Sequence, residues 1–393
     1  MDASRYSSGS KWVRRGLTVL DGVLARLLRR PRLEQPIPEP RRILVANTGH
    51  LGDVILSTAV LPVLRRAFPH CHIGFLLGSW SKPLLQNHPL VDALHVFDPI
   101  RVNRSRASWW QKLLRHDRSR RQALREIADA PYDLAIDLRY YFGNAIPLLW
   151  QAQIPTRIGY TGGGFGPMLT HCLPWQVQDC HVLDYFADLL RLLPMRPECL
   201  AALRPTLGDD AAPLPTALTS ALTHPRASFL LFHPGSGAEC KEWPIEHWQR
   251  LAQRALAAGH VIVLTGQGAR ERICCERIAA TSPRVVHLCD RLNWQEYVAT
   301  VRHARLVVGV DSLAGHVAAA VQTPCVIVGN GINHPSHWRP FGNAVRVLRH
   351  PVACMPCYRT NGCETMDCVR RVEPNAVWNA VSTLLDAAHS QSA

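Results

Sequence analysis

Lysine is almost missing from this 393-residue chain. Only Lys11, Lys82, Lys112 and Lys241 occur, so nearly all of the basic charge behind a formal net charge of +14 is arginine. Such a bias reflects coding composition and alone says little about function. Its sign says more, pointing to phosphate-bearing partners: nucleic acid, an anionic membrane or a phosphorylated substrate. A run of about 18 apolar residues is also missing, which argues against a transmembrane helix. The first residues show no short apolar core with a small-residue cleavage site, so a signal peptide is not expected. Thirteen cysteines, an odd number with Cys274 beside Cys275, do not form the even framework of a secreted disulfide protein. These absences together predict a reducing, cytoplasmic location. The first glycine loop, NTGHLGD, lacks G-x-G-x-x-G, which disfavours a dinucleotide oxidoreductase.

What is present is globular: 47% of residues are apolar, and the length predicts two domains with extensions. Residues 11–30 place Val13, Leu17, Leu20, Leu24 and Leu27 at helical spacing among Lys11, Arg14, Arg15, Arg26, Arg29 and Arg30. Pro31 ends that helix, and a proline-rich tether runs to Pro40. A basic amphipathic helix of this kind either lies in a bilayer interface or packs on the protein's own surface. From Arg42 the pattern alternates between strand and helix. Strands are expected at Ile43–Asn47, Ile73–Leu77, Leu94–Phe97 and Leu134–Leu138, with a helix running from the first loop to about Arg66. Residues 101–125 carry nine Arg or Lys against one acid, Asp117, with Trp109 and Trp110 embedded.

Residues 206–227, rich in Pro, Ala and Thr, read as a linker. A second alternating series follows, with strands at Phe229–Phe232, Val261–Thr265, Val285–His287, Leu306–Val310 and Cys325–Val328. A helix over Pro244–Ala258 is entered through proline. Two such series predict an α/β protein of two doubly wound, Rossmann-like domains facing across a cleft. The expected boundaries are a 1–41 basic extension, a 42–205 domain, the 206–227 linker, a 228–375 domain and a 376–393 helix and tail.

Three segments in order carry a resemblance. ILVANTGHLGDVILSTAVLPVLRRAFP resembles the opening of glycosyltransferase family nine, FHPGSGAECKEWPIEHWQRLAQRALAAGH its second-domain entry, and VGVDSLAGHVAAAVQTPCVIVG its donor motif. The spacing matches across about 42–375, with DLRYYFGNAIPLLWQAQIPTRIGY between. The resemblance implies a GT-B fold and an ADP-heptose:lipopolysaccharide heptosyltransferase. It also implies inverting transfer of a heptose from an ADP-sugar co-substrate to a lipid-linked core saccharide, with no metal or other cofactor required. That activity places the enzyme as a peripheral protein on the cytoplasmic face of the inner membrane.

Asp53 follows Gly52 at a helix start, where a carboxylate either caps the helix or deprotonates an acceptor hydroxyl. The resemblance selects the general base. Lys241, before Trp243-Pro244, is either a solvated loop lysine or the charge that steadies the departing diphosphate. Asp311 and Ser312 end a strand where a helix N-terminus can cradle a diphosphate. The resemblance assigns Asp311 to the donor sugar and Ser312 with His316 to phosphate, and adds Ser236, Glu271 for the ribose and Leu292 for the nucleotide. Exposed helix glutamate and buried leucine are the plain alternatives for the last two. The family commonly has glycine after the Ser/Thr, whereas Leu313 stands here, and its Phe-Gly-Pro-Thr-Asp-Pro stretch is replaced by Val328–Pro335. These departures leave another nucleotide sugar open as donor. Cys354, Cys357, Cys363 and Cys368 form C-x₂-C-x₅-C-x₄-C, which either holds a structural zinc or is a reduced structural cluster. A non-catalytic nucleotide- or nucleic-acid-binding module is the alternative outside the class. The basic residues match no nucleic-acid motif, so no nucleic acid is expected as partner.

Overall fold

The computed structural model describes residues 6–7, 11–28, 36–105, 107–176, 178–208, 212–221 and 228–390. Arg29, Arg30, tether positions 31–35, Arg106, linker positions 209–211 and 222–227, and the end of the tail at 391–393 lie outside these. The chain forms two compact units, Met1–Gly208 and Asp209–Ala393.

The first unit opens with α1 (Lys11–Leu27), β1 (Arg42–Ala46), α2 (Leu51–Ser57), α3 (Val60–Ala67) and β2 (His72–Leu77). It continues through α4 (Lys82–Leu85), β3 (Ala93–Val96), α5 (Trp109–Asp129), β4 (Leu134–Asp137) and α6 (Ile146–Gln151). β5 (Thr156–Tyr160), β6 (His171–Leu173) and α7 (Val182–Leu190) complete it. The second unit runs α8 (Thr216–Ala221), β7 (Phe229–His233), α9 (Ile245–Ala257), β8 (Val261–Leu264), α10 (Ala269–Ala279) and β9 (Val285–His287). Then come α11 (Trp294–His303), β10 (Leu306–Val310), α12 (Leu313–Ala320), β11 (Cys325–Val328), β12 (Val345–Leu348), α13 (Asp367–Arg370) and α14 (Pro374–Ser390).

Each unit holds one six-stranded sheet, ordered β3-β2-β1-β4-β5-β6 and β12-β11-β10-β7-β8-β9. Every pairing is parallel; Val45 sits between Phe75 and Ile136, and Val308 between Phe232 and Val326. Counted within each unit, both orders are 3-2-1-4-5-6, so the strand order reverses between β1 and β4 and again between β7 and β10. Such switch points open crevices at the strands' carboxyl ends. The central strands are fully buried apolar runs, Ile43–Ala46 and Leu306–Val308 among them, as sheets covered on both faces require. Burying each Val, Leu or Ile stabilises by roughly 1.5–3 kcal/mol.

Three strands escaped the sequence pattern, and each has a reason. β6 and β12 are half-exposed edge strands, and β5 is interrupted by Arg157 and Gly159, so none shows a continuous apolar run. The single helix expected to reach Arg66 is instead α2 and α3, broken at Thr58–Ala59. Pro62 has no N–H, and its ring would collide with the Thr58 carbonyl one turn earlier.

The basic amphipathic helix α1 packs on its own unit. Leu17 is buried, and a side chain at Gly164 would meet it at 2.6 Å. Asp21, also buried, accepts the Phe165 N–H at 2.7 Å and the Tyr6 hydroxyl at 3.0 Å. The apolar stripe centred on Leu17 and Leu20 is therefore turned towards the protein. A different row, Trp12, Val19 and Val23, is exposed, and so is Leu27, which ends the helix and departs from the stripe expected to include it. On α5 the Trp109–Trp110 edge-to-face pair and Leu114 are exposed as well. Among the described residues no helix is long and apolar enough to cross a membrane.

Candidate active site

In the second unit, the candidate residues gather on loops that leave neighbouring strands. β7 ends at His233, and the glycine turn after it carries Ser236 and Lys241. Asp311 and Ser312 follow β10, on the other side of the switch point. Lys241 Nζ lies 2.9 Å from Asp311 Oδ2, in a pair whose side chains are about a quarter exposed (26% and 24%). The Asn330 amide donates to the same oxygen at 2.7 Å, and Arg349 Nε holds the Asn330 carbonyl at 2.9 Å. Burial pushes the Asp311 carboxyl up, but Lys241, His316 and Asn330 outweigh it and hold it below the ordinary carboxylate range. Asp311 is thus an anion fixed by a cation.

Ser312 stands at the N-cap of α12 with extended backbone, and its Oγ is buried without a hydrogen-bond partner. A buried hydroxyl without a partner costs about 1–3 kcal/mol, so an oxygen-rich ligand at this point would be favoured. The first N–H groups of α12 have no partner within the helix and add a positive dipole end. Leu313, half-buried, is the first residue of the helix. His316 is buried on the same helix.

Ser236 is buried; its Oγ accepts the Ala238 N–H at 3.3 Å, and its carbonyl accepts from the Arg270 guanidinium. Arg270 also pairs with Glu242 at 2.8 Å. Glu271 is not the exposed helix residue that its position suggested. A Cβ on Gly235 would come within 2.1 Å of its carboxyl carbon, and one on Gly266 within 2.9 Å of Oε2. Both glycines are needed for the carboxylate to sit against the ends of β7 and β8. Its Oε2 accepts the Gln267 N–H at 2.8 Å, and burial raises its pKa. Leu292 is half-buried in the loop before α11, whose Asn293 cap and Glu296 satisfy each other's backbone groups at 2.8 and 2.9 Å.

In the first unit, Asp53 sits in the first turn of α2, after β1 at that sheet's switch point. Oδ2 accepts the His50 N–H at 2.8 Å, so the capping role is realised, and Arg139 Nη1 lies 3.6 Å from the same oxygen. Gly49 makes room: a Cβ there would fall 2.4 Å from Oδ2 and 2.8 Å from Nη1. The Trp80 indole holds the Gly49 carbonyl at 2.8 Å. Arg139 is placed by Asp137, a buried carboxyl that accepts the Arg139 and Ala145 N–H groups at 2.9 and 2.7 Å. Burial raises the Asp137 pKa to about 7. The sequence reading missed Arg139, Asp137 and Asn330. The signal for the first two was a strand ending Asp-Leu-Arg, the same strand-end logic that singled out Asp311. Among the described residues, no three of Cys354, Cys357, Cys363 and Cys368 converge closely enough to share an ion.

Two α/β units of one strand order, each with a carboxylate at a helix start beside its sheet's switch point, have the architecture of the GT-B class. The chain belongs to glycosyltransferase family 9 (heptosyltransferase), whose family model matches residues 120–366. The lipopolysaccharide heptosyltransferase 3 of Escherichia coli is 25% identical over 301 residues, 74% of this chain and 84% of that enzyme. The lipopolysaccharide heptosyltransferase 1 of Pseudomonas aeruginosa is 26% identical over 326 residues, 81% and 86% of the two chains. The crystal structure of the glycosyl transferase family 9 from Veillonella parvula DSM 2008 superposes with a TM-score of 0.71 at 21% identity, covering 90% of this chain and 98% of that one.

Proposed function

We propose that the enzyme moves a heptose from ADP-heptose to a saccharide of the lipopolysaccharide core, with inversion and without a metal in the reaction. The Lys241–Asp311 pair beside the α12 N-terminus carries this reading. A departing diphosphate needs positive charge as the sugar bond breaks, and Lys241 with the helix amides supplies it where other transferases use a divalent ion. Ser312 and His316 take phosphate oxygens, Asp311 the sugar, and Glu271 with Leu292 the nucleoside. Asp53 takes the acceptor's proton as its oxygen attacks, a contribution of about 10²–10⁴ in rate. In this assignment residues 42–205 bind the acceptor and 228–375 the donor, joined by 206–227.

The test is a panel of nucleotide sugars with truncated core acceptors, read by mass. Transfer from ADP-heptose at full rate without added Mg²⁺ or Mn²⁺ is expected. Preferred turnover of another nucleotide sugar, or strict dependence on either ion, would contradict it.

The same reading places the enzyme at the cytoplasmic membrane face, where a lipid-linked acceptor resides. The exposed Trp12, Val19 and Val23 row and the exposed Leu27, flanked by Lys11, Arg15 and Arg26, support it, as do Trp109 and Trp110 among the arginines of α5. Each basic residue near an anionic surface contributes about 1 kcal/mol. Salt-sensitive sedimentation with anionic but not neutral vesicles is expected, weakened by Trp12→Ser with Val23→Ser and by Trp109→Ser with Trp110→Ser. A wild-type protein that stays in the supernatant at low salt refutes the surface assignment.

A further inference from the structure

Behind the donor residues of the second unit, three soft donors converge that the proposed chemistry does not use. Cys275 lies on α10, His287 ends β9, and Cys289 follows two residues later. One ligand atom from each lies within 4.8 Å of the others, the only such set among the described residues. Both cysteines are buried, and the Cys275 thiol donates to the Thr265 carbonyl at 3.8 Å. His287 Nε2 is sealed from solvent and has no hydrogen-bond partner. An imidazole nitrogen left so is costly unless something accepts or binds it. Tetrahedral zinc, with Zn–S of about 2.3 Å and Zn–N of about 2.0–2.1 Å, sets its donors about 3.5–3.8 Å apart. The spacing here reaches that with small side-chain shifts.

We propose that Cys275, His287 and Cys289 bind a thiophilic divalent cation of the zinc class, with water or a further oxygen as the fourth ligand. Two thiolates and one imidazole select zinc over magnesium or calcium, which prefer oxygen. The geometry suits a structural role: α10 is tied to the loop after β9, while Cys289 Sγ would lie only 3.3 Å from a Cβ on Gly266. The cysteine-rich segment at 354–368 is a separate feature, and the proposal does not depend on the identity of the sugar donor.

The test uses reduced, full-length protein and Co²⁺ as a spectroscopic probe, followed by competition with Zn²⁺. To remove the other thiols from the reading, Cys354, Cys357, Cys363 and Cys368 are replaced together by serine in the parent. That parent is expected to bind one equivalent, with thiolate-to-metal charge transfer and tetrahedral ligand-field bands. Cys275→Ser with Cys289→Ser should abolish both. His287→Gln, which leaves both thiols in place, should weaken binding at least about tenfold, since even outer-shell partners are worth that much. Circular dichroism of each variant separates loss of the site from loss of the fold. A folded parent that binds no Co²⁺, or a folded His287→Gln variant that binds as tightly as the parent, overturns the proposal.

Discussion

Replacing Lys241 by alanine tests the donor assignment most directly, because the lysine already has an anionic partner. At 2.9 Å and an effective dielectric of about 20, the attraction between Lys241 and Asp311 is about 6 kcal/mol before desolvation, which offsets most of it. In the proposed donor assignment, a diphosphate arriving at α12 shares this lysine rather than meeting a free one. Truncation then does two things. It removes a charge-assisted contact worth about 1.5–3 kcal/mol, or about 10–150-fold in affinity. It also leaves the Asp311 carboxylate facing the diphosphate without its cation. Lys241→Ala should therefore weaken ADP towards the upper end of that range, about 100-fold by calorimetry. Adding Asp311→Asn in the same chain should recover about tenfold, because the repulsion goes with the charge. The two substitutions are expected to be strongly non-additive, as contacting residues are. ADP binding within twofold of wild type in Lys241→Ala would show that the lysine serves only Asp311. Loss without recovery in the double variant would refute the electrostatic part of the reasoning.

Three further outcomes follow from the first unit. Asp53→Asn should keep the helix cap, since an amide oxygen also accepts the His50 N–H, yet lower kcat by about 10²-fold or more; near-normal turnover would return Asp53 to a capping role alone. Gly49→Ala forces its Cβ to within 2.4 Å of Asp53 Oδ2, so kcat should fall at least about tenfold with ADP affinity unchanged, and an unaltered kcat would detach the carboxylate's position from the reaction. Asp137, with its pKa raised by burial to about 7, holds its proton when folded between about pH 4 and 7, where the unfolded chain releases it. Its contribution to stability must fall as pH rises through that window, by at most about 1.4 kcal/mol per unit, and level off above it. Urea melts of wild type and Asp137→Asn should therefore converge or cross over that range, and parallel curves would mean that Asp137 is ionised in the fold.

The local part of this molecule could be read from its residues, and the long-range part could not. Asp53, Asp311 and Ser312 each follow a strand or open a helix, Lys241 lies in the turn that leads into α9, and that chemistry is written within a few neighbouring positions. Nothing local announces that Lys241 will meet Asp311, 70 residues away. Nor does it show that Asn330, inside the loop that departs from the family pattern, will hold the same carboxylate oxygen. That departure supplies an amide donor to Asp311, so it is an alternative support for the anion rather than a defect in the site. The same limit explains α1. A helix with Leu17 and Leu20 on one side and Trp12, Val19 and Val23 on another has two apolar rows, and periodicity finds only the stronger. Asp21 decides between them, because a carboxylate that accepts the Phe165 N–H must face inward. The row adjoining Asp21 docks on the protein, and the outer row stays exposed.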